Sequence, residues 1–225
     1  MKQNNIDTLT TLEKHFFEYV KICNKTYRLH TPSKYLYRKI IEAHKSVDYQ
    51  VSRLLPNVDF LELVYVTLDS WGMNTRSAKL VDFNSFEASI PQFQNRLIQL
   101  EGKELQKLTS HELDEVLRLV KPVFTDLKVM ETKPKLVGLS KTLHFLLPKL
   151  FPPMDRSYTL KFFREKVSKS VDEQFITFSK IFHEFYNITK KLNLVSKDVD
   201  GDQWNTTIPK LIDNAIIGSI KKKKQ

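Results

Sequence analysis

Lys141 and Asp155 lie 14 positions apart in the stretch GLSKTLHFLLPKLFPPMDRSY, which spans residues 138–158. The lysine is embedded in apolar residues, and the aspartate follows a Pro152-Pro153 step. A lysine amine whose pKa is lowered by burial can attack a carbonyl or sugar carbon and form a Schiff base. A carboxylate held nearby can steady the positive charge that builds on a sugar as a glycosidic bond breaks. Each residue also has an ordinary reading. A lysine here can contact solvent or a phosphate, and an aspartate after Pro-Pro is well placed to cap a helix. The capping and catalytic roles of Asp155 are compatible.

The distribution of charge narrows the partner. The formal net charge is +10 over 225 residues. Residues 131–170 carry nine Lys/Arg and three acids and so net +6, and Lys221–Lys224 add +4, leaving the remainder neutral. The excess therefore lies around the Lys141–Asp155 stretch, with Arg156, Lys161 and Arg164 immediately after it, and at the C-terminus. That placement suits a polyanion, nucleic acid foremost and duplex DNA in particular. A basic solubility surface with a disordered tail over 221–225 is the plain alternative.

These groups are positioned by a pattern that is helical nearly throughout. Leu9, Leu12, Phe16, Val20 and Cys23 repeat at helical spacing over 8–24, and Ser33 can cap a helix over 34–54. The segment FLELVYVTLDSWGM, opened by Asn57, is apolar enough for a buried helix or a strand, and its helical neighbours favour helix. Further helices are expected over 84–100, with a break at Pro91, and after the Thr109–Glu112 capping box, where Pro122 bends or ends the run. Others follow over 136–147, 155–167 and 171–193, and from Ile208-Pro209 onward. A new helix beginning near Ser140, capped by that residue, would aim free backbone N–H groups near Gly138 and Ser140 at a phosphate. The result is an all-α, multi-helix fold over 1–220, one globular domain or two lobes split near 130–136 around a cleft.

Several chemistries are excluded. A single cysteine, Cys23, permits no internal disulfide and no Cys-ligated iron–sulfur or zinc site. The six histidines show no ligand spacing, and Asp198–Asp202 lacks the glycine and glutamate of a calcium loop. There is no glycine-rich phosphate loop and no GxSxG elbow. No cofactor or metal is called for. The N-terminus has no apolar run of signal-peptide length and no window approaches 18 apolar residues, which points to a soluble cytoplasmic chain without a membrane partner.

The order of Gly138, Lys141-Thr142, an apolar helix, a proline step and Asp155-Arg156 resembles the core of the helix-hairpin-helix DNA glycosylase superfamily, over residues 60–165. Ser140 stands where the second hairpin glycine of that pattern falls. The chain also resembles proteins of unassigned activity that share SWGM and SKxLHFLxPxxFPPxDR patterns. The superfamily resemblance implies a two-lobed helical fold, DNA as partner, Lys141 as nucleophile and Asp155 as catalytic carboxylate. An extrahelical base would then enter a pocket lined by Trp71, His144, Phe145 and Tyr158, with Asn74 and Arg76 on the polar loop beside it. The plain readings are that Trp71 and His144 are core residues and that Asn74 and Arg76 belong to an ordinary loop. Two other readings stand beside a base-excision glycosylase or lyase. One is a non-catalytic helical nucleic-acid-binding or interaction protein, and the other is an enzyme using the same cleft for a small molecule.

Overall fold

The structure is a computed structural model that describes residues 3–27, 31–75, 78–199 and 204–222. Among them every regular element is helical, and the β-type contact is an isolated bridge between Leu80 and Met130. The all-α expectation therefore holds. One apolar cluster runs from Leu12 to Ile220 and draws on residues either side of 130–136.

Local signals are often overruled by packing. Residues 8–24, expected as one helix, belong to two. α1 (Gln3–Lys14) and α2 (Phe16–Thr26) meet at His15, whose φ of −116° and ψ of 22° leave the helical region. The stretch 34–54 likewise divides into α3 (Pro32–Ser46) and α4 (Val51–Leu54), because Asp48 and Tyr49 take left-handed φ values of 51° and 60°. Thr31 caps α3, accepting from the Lys34 N–H at 3.2 Å. Ser33, the expected cap, instead donates to the Ser70 carbonyl at 2.9 Å.

α5 (Val58–Leu68) is a helix, opened by Asn57 accepting from the Phe60 N–H. Phe60, Leu61, Val64 and Leu68 fill its buried face, and helical spacing decides against a strand. The chain then turns through Asp69–Met73, where Gly72 holds φ at 83°. Glycine adopts this conformation without the Cβ clash other residues meet. α6 (Phe83–Ser89) and α7 (Gln94–Gln99) are separated by a 3₁₀ turn containing Pro91, as expected. α8 (Ser110–Asp126) opens with the Thr109–Glu112 capping box. It runs through Pro122 without ending there. Burial of Leu119, Val120, Val123 and Phe124 on both sides of the proline outweighs the one lost backbone bond.

α9 (Leu136–Leu146) corrects the expectation about Ser140. The helix begins four residues earlier, and Gly138 and Ser140 lie inside it, both buried. Its start is capped from a distance. The Gln174 side chain accepts from the Lys135 and Leu136 N–H groups, each at 2.8 Å, and donates to the Lys133 carbonyl at 3.0 Å. Ser140 therefore opens no helix, and the neighbouring Leu139 N–H is bonded to the Lys135 carbonyl at 2.9 Å.

After Asp155 a wide turn (Arg156–Leu160) leads into the short α10 (Lys161–Phe163), which stops at Arg164 with φ of 57°. This is shorter than the helix expected over 155–167. α11 (Val171–Lys191) supplies Gln174 and packs Phe178, Phe182 and Phe185 into the core. α12 (Ile208–Lys222) is buried at every residue from Ile208 to Ile220. Lys221 and Lys222 belong to it rather than to a tail, and Lys222 Nζ lies 2.6 Å from Glu18 Oε1. Residues 223–225 lie outside the described residues, as do Asp200, Gly201 and Asp202.

Among the described residues, α2 and α12 share the most extensive contact between two elements. Their closeness depends on Gly218, where a Cβ would sit 1.9 Å from the Tyr19 carbonyl oxygen. Backbone cannot yield as a side chain can. Gly218→Ala is expected to destabilise the protein by about 3 kcal/mol, at the upper end of overpacking costs, read as a lowered urea midpoint.

Candidate active site

The Lys141–Asp155 pair is assembled by two short hydrogen-bonded clamps. α9 presents Lys141 toward the extended Pro152–Met154 segment. Ser140 Oγ accepts from the Met154 N–H at 3.1 Å and donates to the Val137 carbonyl at 3.0 Å, holding that segment against the helix. Asp155 caps the following turn, its Oδ1 accepting from the Ser157 N–H at 2.7 Å. Its other oxygen faces Lys141 Nζ at 3.4 Å. The lysine also donates to the Trp71 carbonyl at 3.0 Å, which the Gly72 turn aims inward.

A second pair completes the site. Lys210 and Asp213 lie one turn apart on α12, Nζ to Oδ2 at 2.6 Å. Asp155 and Asp213 are linked through Thr159: its hydroxyl accepts from the Asp155 N–H at 3.2 Å and donates to Asp213 Oδ1 at 3.4 Å. Lys141, Lys210 and Asp213 side chains are only 4%, 5% and 5% exposed, while Asp155 is 34% exposed. All four line one cavity of about 460 Å³, together with Trp71 and Trp204. Tyr27 and Tyr158 also line it, their hydroxyls 3.2 Å apart. A neighbouring cleft of about 290 Å³ shares Trp71, Gly72 and Asp155 and adds Gly138 and Arg156.

Burial sets the proton affinities here. It pushes the Lys141 ammonium below its usual value, against the opposing pull of Asp155 and Asp213. It pushes the Asp213 carboxyl upward, against Lys210. Both shifts bring a charged group toward its neutral form, the state a nucleophilic amine requires.

The other expected residues divide. Trp71 and Tyr158 line the cavity. Arg156, Lys161 and Arg164 are exposed and take part in no ion pair among the described residues. Asn74 does not reach the cavity; its Oδ1 accepts from the Leu80 N–H at 2.9 Å and closes a loop. Arg76 lies outside the described residues. Gly138 and Ser140 are interior positions of α9. Phe145 packs edge-on against Trp71 at 4.9 Å from beneath. His144 is a core residue rather than a pocket one: Nδ1 bonds the Phe151 carbonyl at 2.7 Å and Nε2 the Tyr37 hydroxyl at 2.9 Å.

Sequence reasoning missed Lys210, Asp213, Trp204 and Tyr27. One signal was present. Opposite charges three apart in IPKLIDNAIIGSI interrupt an otherwise apolar helix, and charges on a buried helix are retained in pairs. Among the described residues no group of three or more His, Cys, Asp or Glu can hold a metal ion, and no helix is long and apolar enough to cross a membrane. Compared with protein-family models, curated proteins and solved structures, the chain matches none.

The buried histidines give a pH dependence. Burial lowers His144 to about 3 and His44 to about 4, from 6.5. The unfolded chain therefore binds more protons between those values, and folding stability falls as pH falls from 6.5 through about 4 and then about 3. Thermal midpoints taken from about pH 7 down to pH 4 should drop, and His144→Gln should flatten that slope.

Proposed function

We propose that the protein acts on nucleic acid, breaking an N-glycosidic bond at the Lys141–Asp155 pair. The observation that carries this reading is that a buried lysine and a partly exposed carboxylate, on different elements, meet in one aromatic-walled cavity. An extrahelical nucleotide needs such a cavity, and stacking on aromatic side chains offsets the cost of unstacking it. The exposed cations Arg156, Lys161 and Arg164 begin one residue after Asp155, where they can contact flanking phosphates.

In this mechanism the neutral Lys141 amine attacks C1′ of the sugar. The C1′–N bond breaks and the base leaves with the bonding pair. Nζ gives up one proton, which Asp155 accepts and passes to the departing base. The carboxylate also offsets the positive charge on the sugar during bond breaking. Opening of the sugar ring, with a proton taken up at O4′, leaves a protonated imine between Nζ and C1′. Water hydrolyses it and regenerates the lysine. The separation of 3.4 Å is long for a hydrogen bond, so the lysine is paired without being locked.

Borohydride trapping on duplex DNA carrying an abasic site or a damaged base tests the assignment. A covalent adduct is expected, absent in Lys141→Ala and formed about a hundredfold more slowly in Asp155→Asn. Thermal melts of both variants serve as the control for folding. Adduct formation undiminished in both would overturn the site. A protein that binds duplex without any adduct or base release is a non-catalytic binder instead.

Binding itself should weaken steeply with salt. Replacing Lys161 and Arg164 together by serine should lower the slope of log K against log salt by about 2, measured by fluorescence anisotropy.

A further inference from the structure

The reaction above leaves the Lys210–Asp213 pair without a task, although the two side chains line the same cavity. Their burial alone does not give them a structural task. A buried ion pair of this kind is often replaceable by apolar residues at little cost to stability. What the pair offers is a polar edge in an apolar cavity. Lys210 donates to Asp213, engaging one of its three N–H groups in the bonds described. Asp213 accepts from Lys210 at 2.6 Å on one oxygen and from Thr159 at a long 3.4 Å on the other. Donor and acceptor capacity thus lie side by side.

The charge sum restricts what can dock there. The wall carries two amines and two carboxyl groups. With all four charged they add to zero, and with Lys141 and Asp213 neutral Lys210 and Asp155 still offset each other, so neither an anion nor a cation gains a net field. A neutral ring with a donor and an acceptor on one edge, and apolar faces, is the complementary ligand. Aromatic surface for those faces lies next to the pair: Lys210 Nζ is 5.0 Å from the Trp204 ring centre and 5.5 Å from that of Trp71. A cavity of about 460 Å³ is within the range of small-molecule sites.

We propose that Lys210 and Asp213 form the recognition pair for an uncharged nucleobase, reading a donor and an acceptor on its edge, while Lys141 and Asp155 are left to the sugar. This deepens the glycosidic reading and takes the nucleobase from it. Burial, which pushes the Asp213 carboxyl toward its protonated form, widens the edge patterns the pair can meet.

The chain has two tryptophans, Trp71 and Trp204, and both line the cavity. Tryptophan fluorescence therefore reports occupancy directly and needs no chemistry. In a titration with free adenine, guanine, cytosine and uracil, their nucleosides and their nucleoside monophosphates, saturable quenching by at least one free base or nucleoside is expected. Lys210→Met and Asp213→Asn should each weaken it by about tenfold or more, the scale of a hydrogen bond to a charged group. Should a single variant fail to fold, Lys210→Met/Asp213→Leu removes both charges together and is expected to fold and not to bind. Quenching that survives in the double variant overturns the proposal. So does quenching by nucleoside monophosphates alone, which would make the cavity an anion site. The two readings fail separately. Base quenching without any borohydride adduct leaves this pair and removes the lysine reaction, whereas an adduct without base quenching does the reverse.

Discussion

Charge compensation inside an apolar wall is the constraint on which this structure turns. An ammonium or carboxylate withdrawn from water without a partner costs several kcal/mol, a large part of the 5–15 kcal/mol by which a domain is stable. Lys141, Lys210 and Asp213 are all nearly inaccessible, so each must find an opposite charge. α9 cannot move relative to the Pro152–Met154 segment without separating Lys141 from Asp155. α12 carries its own pair, and Thr159 joins the two pairs across elements.

Beneath the cavity a network of rings fixes the tryptophans. Tyr37 is fully buried. Its hydroxyl meets His144 Nε2 at 2.9 Å and Thr206 Oγ1 at 2.6 Å. Its ring stacks on Trp204 at 5.7 Å and tilts against Trp71 at 5.3 Å. Aromatic contacts of this kind add about 1 kcal/mol each beyond burial. They tie α3, α9 and the approach to α12 to one point. Satisfied buried polar groups define a unique arrangement, because any shift leaves one of them unpaired. The reach of Lys141 and Lys210 toward the indoles is set by this framework rather than by the lysines.

Much of the helical layout was legible along the chain. The Thr109–Glu112 box, the Pro91 break and the Asn57 start depend on neighbours within a turn or two, and the structure has them all. Lys141 and Asp155 were legible as chemistry for a similar reason: a lysine in an apolar run and an aspartate after Pro-Pro are unusual placements in themselves. The errors share a cause. Ser140 looked like a cap because serine caps well, but Gln174 on α11 reaches across to begin α9 earlier. Pro122 could have ended or bent its helix, and core contacts on both sides carry α8 past it. His144 admitted both a core and a pocket reading, and two buried partners decide for the core.

The sequence by itself therefore determined the all-helical class, most helix starts and the two residues around which a reaction can be argued. These follow from periodicity, capping chemistry and the cost of burying charge, all of which act over short stretches of chain. The tertiary structure alone decided that Lys210, Asp213 and Trp204 stand beside Lys141 and Trp71 in one cavity, and that Gly138 and Ser140 are interior. Such encounters depend on how α2, α9 and α12 pack. Packing is decided by the fit of side chains far apart in the chain, where no local pattern records which of them will meet.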